Sequence, residues 1–93
     1  MTISVRIPTP LRTFTNGQDR VQVTGVTVNE ALQSLGSAHE GIIERILSEQ
    51  GDVRHFVNIF VGQSNIRSLE GLGTPLNEGD VLSIIPAVAG GAS

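Results

Sequence analysis

The residues with the clearest chemical potential are Gly90 and Gly91, which follow Pro86-Ala87-Val88-Ala89 and precede Ala92 and Ser93. Neither glycine has a Cβ, so this stretch of backbone can thread a narrow channel and take up whatever φ and ψ the channel imposes. A glycine carboxylate is inert by itself. Joined to AMP it becomes a mixed anhydride, which a sulfur nucleophile can attack to leave a thiocarboxylate. While Ala92 and Ser93 remain attached, the Gly91 carbonyl is an ordinary amide, so activation requires that these two residues be cleaved first.

Rival chemistries find less support. His39 and His55 lack the companions that a metal site needs, and the chain contains no cysteine to join them, which also excludes disulfides. Glu44 with Glu49, or Asp52 with His55, could be drawn as acid–base pairs, but no pocket is implied around either. Gly71-Leu72-Gly73 precedes neither a phosphate-binding lysine nor a helix start, so it is not a nucleotide loop. No catalytic residue, bound cofactor or metal is expected.

Composition narrows the partners. Ninety-three residues make one domain, large enough to bury roughly 60% of its unfolded surface. A formal charge of −3 argues against nucleic acid. No segment resembles a signal peptide or a membrane span, so a cytoplasmic, membrane-free protein is expected. All six cationic side chains are arginines, at 6, 12, 20, 45, 54 and 67. Without lysine, the chain could build isopeptide chains on itself only through the Met1 amine, although a bias of composition gives the same pattern.

The elements that must position the tail follow from periodicity. Ile3, Val5 and Ile7 alternate with polar residues, predicting a strand over 3–7, and Val21 and Val23 predict another over 19–24. Pro8 and Pro10 interrupt pairing between them, and Asn16-Gly17 is a turn. Thr27-Val28-Asn29-Glu30 reads as a capping box, with the Glu30 carboxylate reaching back to the cap N–H. Val28, Ala31, Leu32 and Leu35 then form one helical stripe, and Gly36 is a plausible stop. A shorter helix is expected between Glu40 and Glu49. Residues 53–61 give the strongest strand signal, with both faces covered in their apolar second half. A turn spans 62–65, an edge strand at most 66–67, and a final strand 81–85. The order predicts an α+β β-grasp domain over 1–86: a mixed sheet of four to five strands, one main helix across one face, and a second short helix. The last strand should lie centrally beside the first, giving the tail of residues 87–93 a rigid base.

Phe56-Val57-Asn58-Ile59-Phe60-Val61, Leu76-Asn77-Glu78-Gly79-Asp80-Val81 and Ile84-Ile85-Pro86-Ala87-Val88-Ala89-Gly90-Gly91 resemble the MoaD/ThiS family of sulfur carriers. Arg6-Ile7-Pro8-Thr9-Pro10-Leu11-Arg12 extends that likeness to nearly the whole chain, nearest to the CysO-type branch that feeds a cysteine synthase. The resemblance implies a ubiquitin-like β-grasp fold and a non-enzymatic carrier. An E1-like partner using ATP and magnesium would adenylate Gly91, and a sulfurtransferase step would convert it to the thiocarboxylate. A pyridoxal-phosphate cysteine synthase would receive the sulfur. A metalloprotease would release the cysteine from the tail, and a protease of that class could also remove Ala92-Ser93, where most relatives of this kind simply end.

Ala87, Val88 and Ala89 are expected to pair as an extended strand in a partner's groove, although Val88 could instead pack on its own sheet. Phe60, Leu72 and Leu76 are candidates for an exposed docking patch, against core packing for each. Arg67 and Arg54 could meet an acidic partner surface or simply be solvated. Three alternatives stay open: sulfur delivery to molybdopterin or thiazole synthesis, a protein modifier using the same tail, and a plain interaction module.

Overall fold

The computed structural model describes residues 2–86. The expectations for Met1 and for Ala87, Val88, Ala89, Gly90, Gly91, Ala92 and Ser93 lie outside the described residues.

β1 (Thr2–Arg6) and β2 (Arg20–Thr24) pair antiparallel, with Ile3 opposite Val23 and Val5 opposite Val21. The segment joining them is not irregular. Thr9–Thr15 winds as a 3₁₀ helix opened by Pro8 and closed by Asn16 in the left-handed conformation, with Gly17 also at positive φ. Proline at the start is compatible with a helical turn because it lacks only a donor that would be unpaired there.

α1 (Val28–Ala38) is capped by Thr27, whose Oγ1 accepts from the Glu30 N–H at 3.2 Å. The Glu30 carboxylate reaches one residue further back than the sequence suggests, accepting from the Val26 N–H at 3.1 Å. Gly36 does not stop this helix. It lies inside it, where a Cβ would collide with Ile43 Cγ1. The glycine therefore permits a close approach between α1 and the following turn. That turn, α2 (Ile43–Ile46), is a single turn rather than a helix from 40 to 49. Leu47 leaves it as extended backbone and bridges to Val53.

β3 (Val57–Val61) is shorter than the apolar run that contains it. Gly62 turns the chain at positive φ into β4 (Ser64–Asn65), and Ile66–Ser68 is a 3₁₀ turn, so the edge strand lies earlier than 66–67. β5 (Val81–Pro86) closes the sheet in the order β2-β1-β5-β3-β4. It runs parallel to β1 and antiparallel to β3, in the central position expected for a β-grasp fold.

The core lies between the sheet and α1. Ile3, Val5, Ile59, Leu82 and Ile84 meet Val28, Ala31, Leu32 and Leu35, all nearly inaccessible to solvent. Both-face burial of the second half of 53–61 is not found. Val57 and Ile59 are buried, whereas Asn58 and Phe60 stand half-buried on the opposite face. The reason is architectural: helical cover lies on one face of the sheet, so its strands alternate between core and solvent.

Candidate docking face and the base of the tail

The uncovered face of the sheet is set by strand register. Arg20, Arg6, Ser83, Phe60 and Asn65 occupy successive partner positions on β2, β1, β5, β3 and β4, forming one row across all five strands. The next row towards Pro86 pairs Asn58 with Ile85, whose side chain is 48% exposed. An apolar centre of Phe60 and Ile85 is thus flanked by arginines on both sides.

On the β3 side, Arg67 is tied down by uncharged acceptors. Its Nη1 donates to Asn58 Oδ1 at 2.8 Å and its Nη2 to the Arg54 carbonyl at 3.0 Å. Asn58 Oδ1 also accepts from Asn65 Nδ2 at 3.3 Å, and Asn65 Oδ1 receives the Arg67 backbone N–H at 2.9 Å. This small network fixes the β3–β4 edge, and among the described residues the bonded partners of the guanidinium are uncharged.

The expected docking residues are not brought together. Phe60 and Arg67 lie on the open face. Leu76 is only 3% exposed and belongs to the core, held beneath the loop by its N–H bond to the Val26 carbonyl at 2.9 Å. Leu72 is half-buried against the core cluster, on the helical side of the sheet. Both are corrections to an exposed patch: apolar residues among glycines are read as surface in sequence, but here they seal the end of the core beside α1.

Two clefts meet at the C-terminal end of β5, where residue 87 begins. The first, about 410 Å³, is lined by Arg6, Arg12, Asp19, Arg20, Ser83 and Pro86 among others. The second, about 350 Å³ and more apolar, is bordered by Pro10, Leu11, Arg45, Arg54, Phe56 and Pro86. Phe56, 51% exposed, stands just before β3, and Arg45 sits 5.6 Å from the centroid of the Phe14 ring. Phe56 and Ile85 were not singled out as docking residues in the sequence. Strict alternation from Leu82 and Ile84 could have revealed Ile85, because the residue after a buried strand position faces the other way. Among the described residues, no group of three or more His, Cys, Asp and Glu side chains could hold a metal. No described helix is long and apolar enough to cross a membrane.

Comparison with known proteins agrees with this geometry. The model of the ThiS family matches residues 5–91, ending on the second glycine. The chain is 41% identical to the sulfur carrier protein CysO of Mycobacterium tuberculosis over 93 aligned residues, covering 98% of this chain and 100% of that protein. It is 37% identical over 65 residues to small archaeal modifier protein 3 of Haloferax volcanii, covering 70% of each. Its fold superposes on a chain of the Amycolatopsis orientalis BexX/CysO complex with a TM-score of 0.90 and 40% identity, covering 95% of this chain and 98% of that one. The likeness first visible in residues 84–91 therefore extends over almost the entire chain. It belongs to the ThiS family, as a ubiquitin-like β-grasp protein of the small sulfur-carrier kind rather than an enzyme.

Proposed function

We propose that this chain carries sulfur on Gly91 as a thiocarboxylate. The observation that supports the reading best is the position of β5: a central strand, with Leu82 and Ile84 in the core, ends at Pro86, and the family match continues from it to Gly91. The tail is therefore attached to one of the most constrained elements of the fold, which suits delivery of a terminus into a partner's active site.

The chemistry runs in three steps. Hydrolysis of the Gly91–Ala92 peptide bond frees the Gly91 carboxylate. An E1-like enzyme then joins that carboxylate to the AMP portion of ATP, with magnesium, releasing pyrophosphate. The persulfide of a sulfurtransferase displaces AMP at the same carbonyl carbon to give an acyl disulfide, and a second thiol of that partner cleaves the S–S bond, releasing the Gly91 thiocarboxylate and leaving a disulfide on the partner. The resemblance of residues 84–91 and of the other quoted segments to the CysO-type branch points to a pyridoxal-phosphate cysteine synthase as recipient, acting on an activated serine derivative in the cytoplasm. A metalloprotease would release the new cysteine. The chain supplies the acyl group, and the catalytic groups belong to its partners.

A second reading is a protein modifier. It is favoured by the likeness to small archaeal modifier protein 3. Both readings require adenylation, so ATP–pyrophosphate exchange by the E1-like enzyme is the first test. Exchange is expected with a chain ending at Gly91 and not with one ending at Ser93; exchange with neither contradicts both. Isopeptide-linked conjugates in cell extract would favour the modifier.

A further inference from the structure

Arg6 and Arg20 are direct register partners across β1 and β2, both exposed on the uncovered face. One step further along, the Ile7 N–H donates to the Asp19 carbonyl at 2.9 Å, which makes Arg6 and Arg20 a non-hydrogen-bonded pair. Side chains in such pairs approach more closely than in the alternating hydrogen-bonded pairs. Like charges at directly opposed sheet positions destabilise the pairing. A third cation joins them: Arg12, anchored by its Nε donating to the Ile7 carbonyl at 3.1 Å, lines the same cleft. Asp19 is the one carboxylate in that lining. An arrangement that costs the free fold stability and contributes nothing to its core indicates a function met in a complex.

The position of the cluster indicates which complex. The cleft reaches Pro86, the last residue of β5, so it borders the point from which residues 87–91 continue. The neighbouring cleft adds Arg45 and Arg54, so three plus two of the six arginines line the two clefts that share Ile84 and Pro86. A chain of net charge −3 thus gathers its cations around the origin of its tail. At the other end of the sheet lie carboxylates, with Glu78 accepting from the Thr2 N–H at 2.9 Å and Asp80 just before β5.

We infer that the Arg6–Arg12–Arg20 cleft docks a carboxylate-bearing segment at the rim of the channel that receives the tail. It orients the carrier so that Gly91 enters first. This rests on the carrier reading above and adds to it a surface and a partner chemistry. Paired guanidinium groups suit carboxylates because their fork geometry allows two parallel hydrogen bonds to each. Opposite charge on the partner also accelerates encounter, an effect that salt screens.

The test is the association rate constant of the chain ending at Gly91 with the E1-like enzyme, followed by stopped flow at low and high sodium chloride. The native chain is expected to slow about tenfold as salt rises. The double variant Arg6→Gln/Arg20→Gln should already be slow at low salt and nearly insensitive to its increase. Glu78→Gln, at the far end of the sheet, should behave as native. Removing the like-charge pair should also raise the melting temperature of the free chain, whereas arginines with a structural role would lower it on replacement. Equal rates and equal salt slopes for native and double variant overturn the inference. Calorimetric binding of inorganic phosphate that disappears in the double variant, with association unchanged, would reassign the cleft to a small anion and overturn it as well. Thiocarboxylate formation at saturating enzyme distinguishes the two levels. If it proceeds while the rates do not differ, the carrier reading stands and the docking cleft falls.

Discussion

Val5 and Leu82 are register partners in the two parallel central strands, and both side chains are completely buried. Through this pair the strand that leads into the tail is fastened to the first strand of the chain. Leu82→Ala should destabilise the fold by about 2–5 kcal/mol, because the lost transfer energy is joined by that of the cavity left behind. Urea denaturation of the purified variant measures this directly. A loss well under 1 kcal/mol would mean that β5 is not the rigid base assigned to it.

Gly36 offers a sharper test, because two principles oppose each other there. Alanine is a better helix former than glycine by about 1 kcal/mol, so an isolated helix would gain from Gly36→Ala. In the folded chain the new methyl group would meet Ile43 Cγ1. Overpacking of this kind costs about 1–3 kcal/mol, so net destabilisation is expected. Combining it with Ile43→Ala should recover part of the loss, a non-additivity that a double-mutant cycle detects.

The cap of α1 makes a separate prediction. Thr27→Ala removes the acceptor for the Glu30 N–H and should cost about 1 kcal/mol. Thr27→Ser, which keeps the hydroxyl, should restore most of that in thermal unfolding. A cost that persists in the serine variant would assign the role of Thr27 to its methyl group instead.

These sites also indicate where the sequence was informative. The alternation of Ile3, Val5 and Ile7 and the helical stripe from Val28 to Leu35 are signals of period, and both are realised as core. The central placement of β5 followed from the order of the elements. What failed were inferences from residue type without geometry. Ile85 has the composition of a core, yet the uncovered face of the sheet leaves it 48% exposed, and Phe56, just before β3, is 51% exposed beside the second cleft. Leu76, a candidate for the exposed patch with core packing as its alternative, is buried. Gly36 has the position of a plausible helix stop, because a glycine near a helix end usually serves that purpose, but its missing side chain accommodates Ile43. The opposition of Arg6 and Arg20 depends on register across a long connection, which no local pattern discloses.

The central claim is that Gly91 becomes a thiocarboxylate only when it is the terminal residue. The most direct measurement is the intact mass of two forms of the chain, one ending at Gly91 and one at Ser93, after incubation with the E1-like enzyme, ATP, magnesium and a sulfur donor. The account predicts that the Gly91 form gains the mass difference of oxygen replaced by sulfur, localised to its C-terminal fragment, and that the Ser93 form does not change. No such gain on the Gly91 form would contradict the account.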